Sequence, residues 1–213
     1  IADLTLYEID QAIDDGSATF EGRLTLHWTN RTGKPVATLP LLLHPNAPEE
    51  LGADADGSGS VQVMEVSADE GRQATMTRKR ATLVEVALAP PVPAGGRVKL
   101  RVRYGGRLRA LAHSSNDAFA QGMSSLGSIS GQGAADYGLV GVGDGILTFA
   151  TAYPMVAPVR DGAFDVGRPT RYGDLAYNDV AHYKVRTIVP RGFGLVTNLV
   201  DDEPVAANEE TQV

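Results

Sequence analysis

The sequence predicts an all-β fold, built as a large curved, saddle-like antiparallel sheet or as a β-sandwich. Two observations carry this prediction. Along several stretches apolar and polar residues alternate with a period of two, which is typical of strands with one buried and one solvent-facing side. Clusters of Gly, Pro, Asn and Asp separate these stretches and predict turns between them. No stretch carries the periodicity and caps of a helix of ordinary length.

Three stretches show the alternation most clearly, and we expect each to form a strand. Their expected buried sides are, in chain order, Ala18, Phe20, Leu24, Leu26 and Trp28; Val98, Leu100, Val102 and Tyr104; and Tyr183, Val185 and Thr187. Gly22 lies within the first stretch, where we expect the chain to bend or bulge. The polar side of the second stretch is the row Arg97, Lys99, Arg101 and Arg103. We interpret this row as a solvated face, with binding of an acidic partner as the alternative.

Turn-forming residues lie between the predicted strands at 15–17, 30–35, 90–96 and 190–192. The rhythm of strand and turn breaks over 110–145, which is rich in Gly, Ser and Ala and predicts a long loop, either functional or disordered. We therefore divide the chain into a β-domain over residues 1–199, with its long loop at 110–145, and an acidic linker or chain end over 200–213.

Composition excludes several classes of protein. The 213 residues include 26 acids and 19 bases, for a net charge of -7, which argues against nucleic acid as a partner. The absence of cysteine excludes disulfides, thiolate metal ligands and cysteine nucleophiles. No apolar run reaches the roughly 20 residues of a membrane span, so we expect none in this chain.

The sequence offers no constellation for catalysis. Its four histidines, His27, His44, His113 and His182, are never three or four residues apart, so no helix could present two of them to a metal. The stretch 127–131 imitates a nucleophile elbow, but its central residue is Ile129. We therefore expect no catalytic residue and no cofactor in this chain.

One local pattern predicts a calcium site. Residues 54–65 match the twelve-residue EF-hand loop, with candidate ligands Asp54, Asp56, Ser58 and Glu65 and a glycine at its sixth position. The flanks favour strands rather than helices, and a Glu65 held in a strand could not fold back onto the ion. The alternative is an acidic turn that matches by chance.

Several segments, taken together, resemble the opening of the aminopeptidase N family of zinc metallopeptidases (gluzincins). They are Tyr7-Glu8-Ile9-Asp10, Phe20-Glu21-Gly22, His27-Trp28-Thr29-Asn30, Leu43-His44-Pro45-Asn46 and Pro93-Ala94-Gly95-Gly96. Later segments are similar to bacterial members: Thr151-Ala152-Tyr153-Pro154, Tyr172-Gly173-Asp174 and Ala181-His182-Tyr183-Lys184-Val185. The order and spacing of these segments, from Tyr7 to Leu199, carry the resemblance.

The resemblance implies a non-catalytic N-terminal β-domain that packs on a catalytic peptidase domain and lines its cleft for a peptide substrate. The zinc ligands, a His-Glu-x-x-His motif and a second glutamate about 18 residues further on, would then belong to sequence beyond Val213. Tyr153 and Pro154 are the substrate-cleft candidates by family position, together with Gly145.

Gly145 stands where the family carries a Gln or Glu that holds the substrate's amine. The sequence has neither residue between Val142 and Thr151, and Ala152 replaces the family's Trp. Two alternatives follow: the parent protein is inactive, or its glycine-rich loop recognises the amine. The resemblance further implies a periplasmic, membrane-attached or secreted protein. The alternative function is a stand-alone β-sandwich module, calcium-dependent or not, that binds a protein or a glycan.

Overall fold

The computed structural model describes residues 4–52, 59–69, 71–110, 139–143, 146–170, 178–194, 196–200 and 211–212. The strands are β1 (Thr5–Asp14), β2 (Thr19–Thr29), β3 (Val36–Leu42), β4 (Ser60–Ala68), β5 (Gln73–Arg80), β6 (Leu83–Val92), β7 (Arg97–Arg107), β8 (Arg109–Ala110), β9 (Val140–Gly143), β10 (Ile146–Phe149), β11 (Met155–Val156), β12 (Val159–Arg160), β13 (Ala163–Phe164), β14 (Ala181–Pro190) and β15 (Thr211–Gln212). A 3-10 turn (His44–Asn46) leads into the single-turn helix α1 (Ala47–Glu50).

The strands form a six-stranded sheet in the order β15-β14-β1-β2-β7-β4 and a four-stranded sheet in the order β11-β3-β6-β5. A three-stranded sheet, β10-β9-β8, and the β12–β13 hairpin complete the described part of the chain. The all-β prediction is therefore confirmed. Most neighbouring strands are antiparallel, but β1 pairs with β14, and β8 with β9, in parallel. The alternation of residues could not predict this, because it is the same for either direction of pairing.

The two larger sheets share one apolar core. The expected alternation holds along β2 and β7, whose inward side chains are buried and whose outward ones are partly or fully exposed. The core includes Phe20, Leu24, Leu26, Leu100 and Val102 from the six-stranded sheet and Leu39, Leu41, Val86 and Leu88 from the four-stranded sheet. The third predicted strand, β14, is less covered, since Val185 on its apolar side is 39% exposed.

Gly22 is needed for packing rather than for a bend. The register of β2 runs without a shift past Gly22 on both sides, against Gln11 of β1 and against Tyr104 of β7. A Cβ atom at Gly22 would lie 2.3 Å from Cζ of Tyr104, so the ring of Tyr104 lies directly over the glycine. The register shift in this sheet is found instead between Val63 and Glu65 of β4.

The ring of Tyr104 crosses Gly22 to reach the next strand but one. Its hydroxyl donates to Oε1 of Gln11 at 3.0 Å, and Nε2 of Gln11 donates to Oγ1 of Thr187 at 3.1 Å. This chain of hydrogen bonds links β7, β1 and β14 within the core side of the sheet. It satisfies polar groups that would otherwise be costly to bury and favours one register of β14 on β1.

Two buried asparagines hold the connections between strands. Asn30 donates through Nδ2 to the carbonyl groups of Lys34, Val92 and Pro93, and its Oδ1 accepts from the amide and hydroxyl of Thr32. These bonds join the 30–35 turn to the end of β6. Asn30 closes one of the segments that carry the family resemblance, and here its role is structural.

Asn46 has the same kind of role at the end of the 3-10 turn. Its Nδ2 donates to the carbonyl groups of Val61 and Ala81 at 2.8 Å each, and its Oδ1 accepts from the amide of Val61 at 2.7 Å. The side chain is 2% exposed, so these three bonds replace water completely. The Pro-Asn pair of the resemblance therefore ties β3 to the start of β4.

The predicted long loop lies mainly outside the described residues. Residues 111–138 and 144–145 are not described, whereas Val140–Gly143 forms β9. Of the predicted linker or chain end, Thr211–Gln212 pairs with Val189 and Pro190 of β14, and 201–210 and 213 are not described. The division of the chain into a β-domain and a linker stays a prediction.

Candidate functional site

Tyr153, one of the cleft candidates, lies in a cluster of three tyrosines, the other two of which belong to the six-stranded sheet. Its ring centroid is 5.9 Å from that of Tyr7 on β1 and 6.0 Å from that of Tyr183 on β14. Tyr7 and Tyr183, which pair across the two parallel strands, stack at 5.1 Å with an interplanar angle of 10°. Tyr153 is half-buried and Pro154 is buried.

The hydroxyl of Tyr7 is the polar contact at the centre of this cluster. It accepts a hydrogen bond of 3.0 Å from the amide of Val156, in the edge strand β11 of the four-stranded sheet. Burial raises the pKa of Tyr7 well above its usual value, and burial beside Tyr183 raises the pKa of Tyr153 in the same direction. Both phenols therefore stay protonated, so they serve as hydrogen-bonding groups and not as bases.

The residues just before Tyr153 are held in an unusual backbone conformation. Thr151 has φ 52°, in the left-handed region that a β-branched residue rarely adopts. In the described part of the chain, the buried hydroxyls of Thr148 and Thr151 have no hydrogen-bond partner. Ala152, at the position of the family's Trp, is fully buried. Packing on both sides of this segment must therefore hold it in place.

Gly145 itself lies outside the described residues. It falls in the two-residue connection between β9 and β10, which pair from Gly143 and Ile146 onward. Ile146 is 62% exposed, whereas Phe149 at the other end of β10 packs edge-on against Phe20 at 4.7 Å. The hairpin thus has one end anchored in the core and one apolar end in solvent.

Of the four candidate calcium ligands, the structure describes Glu65. Asp54, Asp56 and Ser58 lie outside the described residues, and Glu65 lies within β4. The Glu65 side chain is 70% exposed, and its Oε2 is 3.7 Å from Nε of Arg103. This is the strand placement under which Glu65 cannot close an EF-hand loop as its twelfth ligand. Calcium binding through these four residues stays a prediction.

The basic row of β7 has acidic neighbours within this chain. Nζ of Lys99 is 3.8 Å from Asp69, Arg101 also pairs with Asp69, and Arg103 faces Glu65. These side chains are about half exposed, so each pair contributes little to stability. The arrangement agrees with the interpretation of the row as a solvated face.

His27 and His44 differ in burial and in hydrogen-bond partner. His27 lies on the outward side of β2, with Nε2 3.0 Å from Oε2 of Glu8. His44 is buried, and its Nε2 is 3.2 Å from Oδ1 of Asn178. Burial lowers the pKa of His44, which favours the neutral ring. Among the described residues, no three His, Asp or Glu side chains come together as metal ligands.

A small cavity of about 150 Å³ with a mixed polar and apolar lining adjoins His44. Its polar lining comes from His44, Thr82, Asp165, Arg168 and Thr170. Beside it, the carboxylate of Glu50 accepts from the amide of Thr82 and lies 3.1 Å from Nε of Arg80. Arg80 in turn donates through Nη2 to the carbonyl groups of Val166 and Gly167. The cluster fastens residues 165–168 to the end of the four-stranded sheet, which makes it structural.

Sequence analysis missed the partners of Tyr153. Tyr7 enters there only as the first residue of a resembling segment, and Tyr183 only as an apolar position of a strand and a member of another resembling segment. No local signal could join them, because Tyr7 and Tyr183 meet through a parallel pairing between strands 176 residues apart. The strain at Thr151 had no sequence signal either, since left-handed positions are typically marked by Gly or Asn.

In the described part of the chain, no helix is long and apolar enough to span a membrane.

Comparison with known proteins gives similarity in fold only. No protein-family model and no curated protein matches the sequence. An M1 zinc metallopeptidase from Deinococcus radiodurans is 16% identical, with a TM-score of 0.51 over 99% of this chain and 37% of that chain. A variant of an M1 zinc metallopeptidase from that organism, bound to a Tyr-Ser-Ala substrate, is 17% identical with a TM-score of 0.51, over 99% of this chain and 38% of that one.

A two-domain M1 zinc metallopeptidase variant bound to L-tryptophan gives a TM-score of 0.53 at 14% identity, again over 99% of this chain and 38% of that chain. This chain therefore spans a little over a third of the length of the peptidases that it resembles. At such low identity the likeness establishes a shared fold, and function has to be argued from the residues.

Proposed function

We propose that this chain is the non-catalytic N-terminal β-domain of an M1-type zinc aminopeptidase, packed on a catalytic domain whose substrate cleft it helps to line. The observation that carries the proposal is the extent of the fold similarity: 99% of this chain matches 38% of an M1 zinc metallopeptidase. A part of such an enzyme that lacks its zinc ligands can act only by supporting and shaping the cleft. Zinc would be held by the catalytic domain.

The apolar residues left uncovered support a docking role. Ile146 is 62% exposed, Val180 is 76% exposed and Val196 is 96% exposed. Large apolar side chains are costly to leave in water, so covering these three with another domain would stabilise the assembly. Val180 precedes and Val196 follows β14 in the sequence, and Ile146 begins β10.

The cleft-lining part of the proposal rests on Tyr153, Pro154 and the β9–β10 hairpin. Tyr153 is half-buried within an aromatic cluster, which limits the freedom of its side chain. Rigid aromatic groups of this kind suit contact with a peptide, because little side-chain entropy is lost on binding. The substrate of the parent would then be a peptide with a free amine.

An association experiment tests the docking role. The chain and the sequence that follows it in the same gene are produced as two polypeptides, and their affinity is measured by calorimetry. Ile146→Asp is expected to weaken association at least tenfold, because it places a charge in an apolar contact. Met76→Asp serves as the matched control, since Met76 is a similarly apolar side chain, 39% exposed, on β5 of the four-stranded sheet.

A dye that fluoresces in contact with apolar surface gives a second measurement. Its signal with the isolated chain should fall when the catalytic domain is added. Lack of association, or an equal loss of affinity in both variants, would contradict the proposed surface. The alternative, a stand-alone binding module, predicts no effect of the added domain on the dye signal.

A further inference from the structure

We propose that Tyr7 is a positioning residue of the substrate cleft: its hydroxyl, through the amide of Val156, fixes the segment that presents Tyr153 and Pro154. This inference rests on the proposed function, because it assigns a task to a residue behind the proposed cleft surface. Tyr7 touches no substrate in this account, and it acts through the segment 151–156.

The first argument is where the hydrogen bond lies. Tyr7 belongs to β1 of the six-stranded sheet, whereas Val156 belongs to β11, the two-residue edge strand of the four-stranded sheet. β11 pairs with β3 at Met155–Leu42 and Val156–Leu41, and just beyond it the amide of Ala157 donates to the carbonyl group of Pro40 at 3.0 Å. The bond of 3.0 Å from Tyr7 adds a contact from the opposite layer to this short edge strand.

The second argument is the strain that the segment carries. Thr151 adopts φ 52°, and the hydroxyls of Thr148 and Thr151 have no partner among the described residues, so the segment costs free energy in this conformation. Such a conformation persists only where surrounding contacts outweigh the cost. The Tyr7 hydroxyl and the stack of Tyr7 on Tyr183 supply contacts of this kind directly beneath Tyr153.

The third argument is the state of the phenol. Burial, and to a smaller extent the neighbouring Tyr183 and Asp179, raise the pKa of Tyr7, so its hydroxyl stays neutral across the physiological range. A neutral, buried hydroxyl oxygen is a steady acceptor for the amide of Val156. The contact is thus not expected to change with pH.

Tyr7→Phe tests the inference, because it removes the hydroxyl and keeps the ring. Tyr104→Phe is the matched control: it also removes a buried phenol hydroxyl with a 3.0 Å hydrogen bond, but that bond goes to Gln11 and not to the segment 151–156. Two quantities are measured in the full protein that carries this chain. One is hydrogen exchange at the amide of Val156, followed by mass spectrometry with residue-level fragmentation. The other is the steady-state hydrolysis of a peptide with a free amine.

We expect Tyr7→Phe to speed exchange at Val156 by about fivefold or more and to raise KM by a similar factor with kcat unchanged. Tyr104→Phe should leave KM unchanged and alter exchange at Val156 only as far as global stability changes. Unchanged exchange at Val156 in Tyr7→Phe would overturn the inference, and so would an equal rise of KM in both variants. If the unmodified protein hydrolyses no peptide, the proposed function fails, and exchange at Val156 alone then decides whether Tyr7 positions the segment.

Discussion

Gly22→Ala offers the sharpest test of the packing that organises the six-stranded sheet. The added Cβ would lie 2.3 Å from Cζ, 2.5 Å from the hydroxyl oxygen and 2.7 Å from Cε1 of Tyr104. Tyr104 has no exposed surface, so its ring cannot turn into solvent to make room. Either the strands separate locally or the ring leaves its position over the glycine.

The expected cost follows from those two events. Overpacking a closely packed core costs about 1–3 kcal/mol. Displacing the ring breaks the bond from Tyr104 to Gln11, and a buried group left without its partner costs about 1–3 kcal/mol more. Replacing a strand glycine by alanine recovers roughly 0.5–1 kcal/mol. We therefore expect the free energy of unfolding to fall by about 1–5 kcal/mol.

Urea denaturation followed by circular dichroism measures this change. Gly194→Ala is the matched control, since a Cβ atom there would meet nothing within 4 Å, and its effect should stay within about 0.5 kcal/mol. A loss below about 0.5 kcal/mol for Gly22→Ala would refute the reasoning, because it would mean that the ring of Tyr104 does not lie over residue 22.

Three further predictions concern other parts of the molecule. Asn46→Ala should lower the free energy of unfolding by about 2–4 kcal/mol, measured in urea, because the amide of Val61 and the carbonyl groups of Val61 and Ala81 lose their hydrogen-bond partner. A loss under about 1 kcal/mol would contradict this role. Because burial lowers the pKa of His44, the folded state binds fewer protons there than the unfolded state, so stability should fall as pH drops from 7 through about 6.5; this part of the pH dependence should vanish in His44→Gln. Millimolar calcium should shift the melting temperature of the native protein and of Glu65→Gln by the same amount, because Glu65 is held in a strand. A rise in the melting temperature of the native protein alone would show that Glu65 is a calcium ligand.

The elements that could be predicted are those whose information is local. A period of two is set by the geometry of one strand, so β2 and β7 could be predicted with their buried sides. The strand β14 was predicted as well, but its parallel pairing with β1 depends on contacts such as Tyr104 to Gln11 to Thr187, which join residues far apart in the chain. Gly22 shows the same limit. The sequence shows a glycine within a strand, but the residue that requires it, Tyr104, lies on the neighbouring strand.

The predictions for the candidate site are limited for the same physical reason. Tyr153 and Pro154 are cleft candidates through their place in a resembling segment, whereas Tyr7, which bonds to Val156 just after that segment, lies 149 residues from Val156 in the chain. The EF-hand pattern stays a prediction. Its spacing of carboxylates is a local match, whereas the strand that contains Glu65 is fixed by pairing with Arg103 and its neighbours on β7.

The central claim is that this fold serves a zinc peptidase as its N-terminal β-domain. The most direct measurement is the sequence of the coding region that follows the codon of Val213. We predict a continuation with a His-Glu-x-x-His motif on a helix and a second glutamate about 18 residues further on. A stop codon, or a continuation without these zinc ligands, would contradict the claim and leave a binding module whose partner must be sought through its own surface.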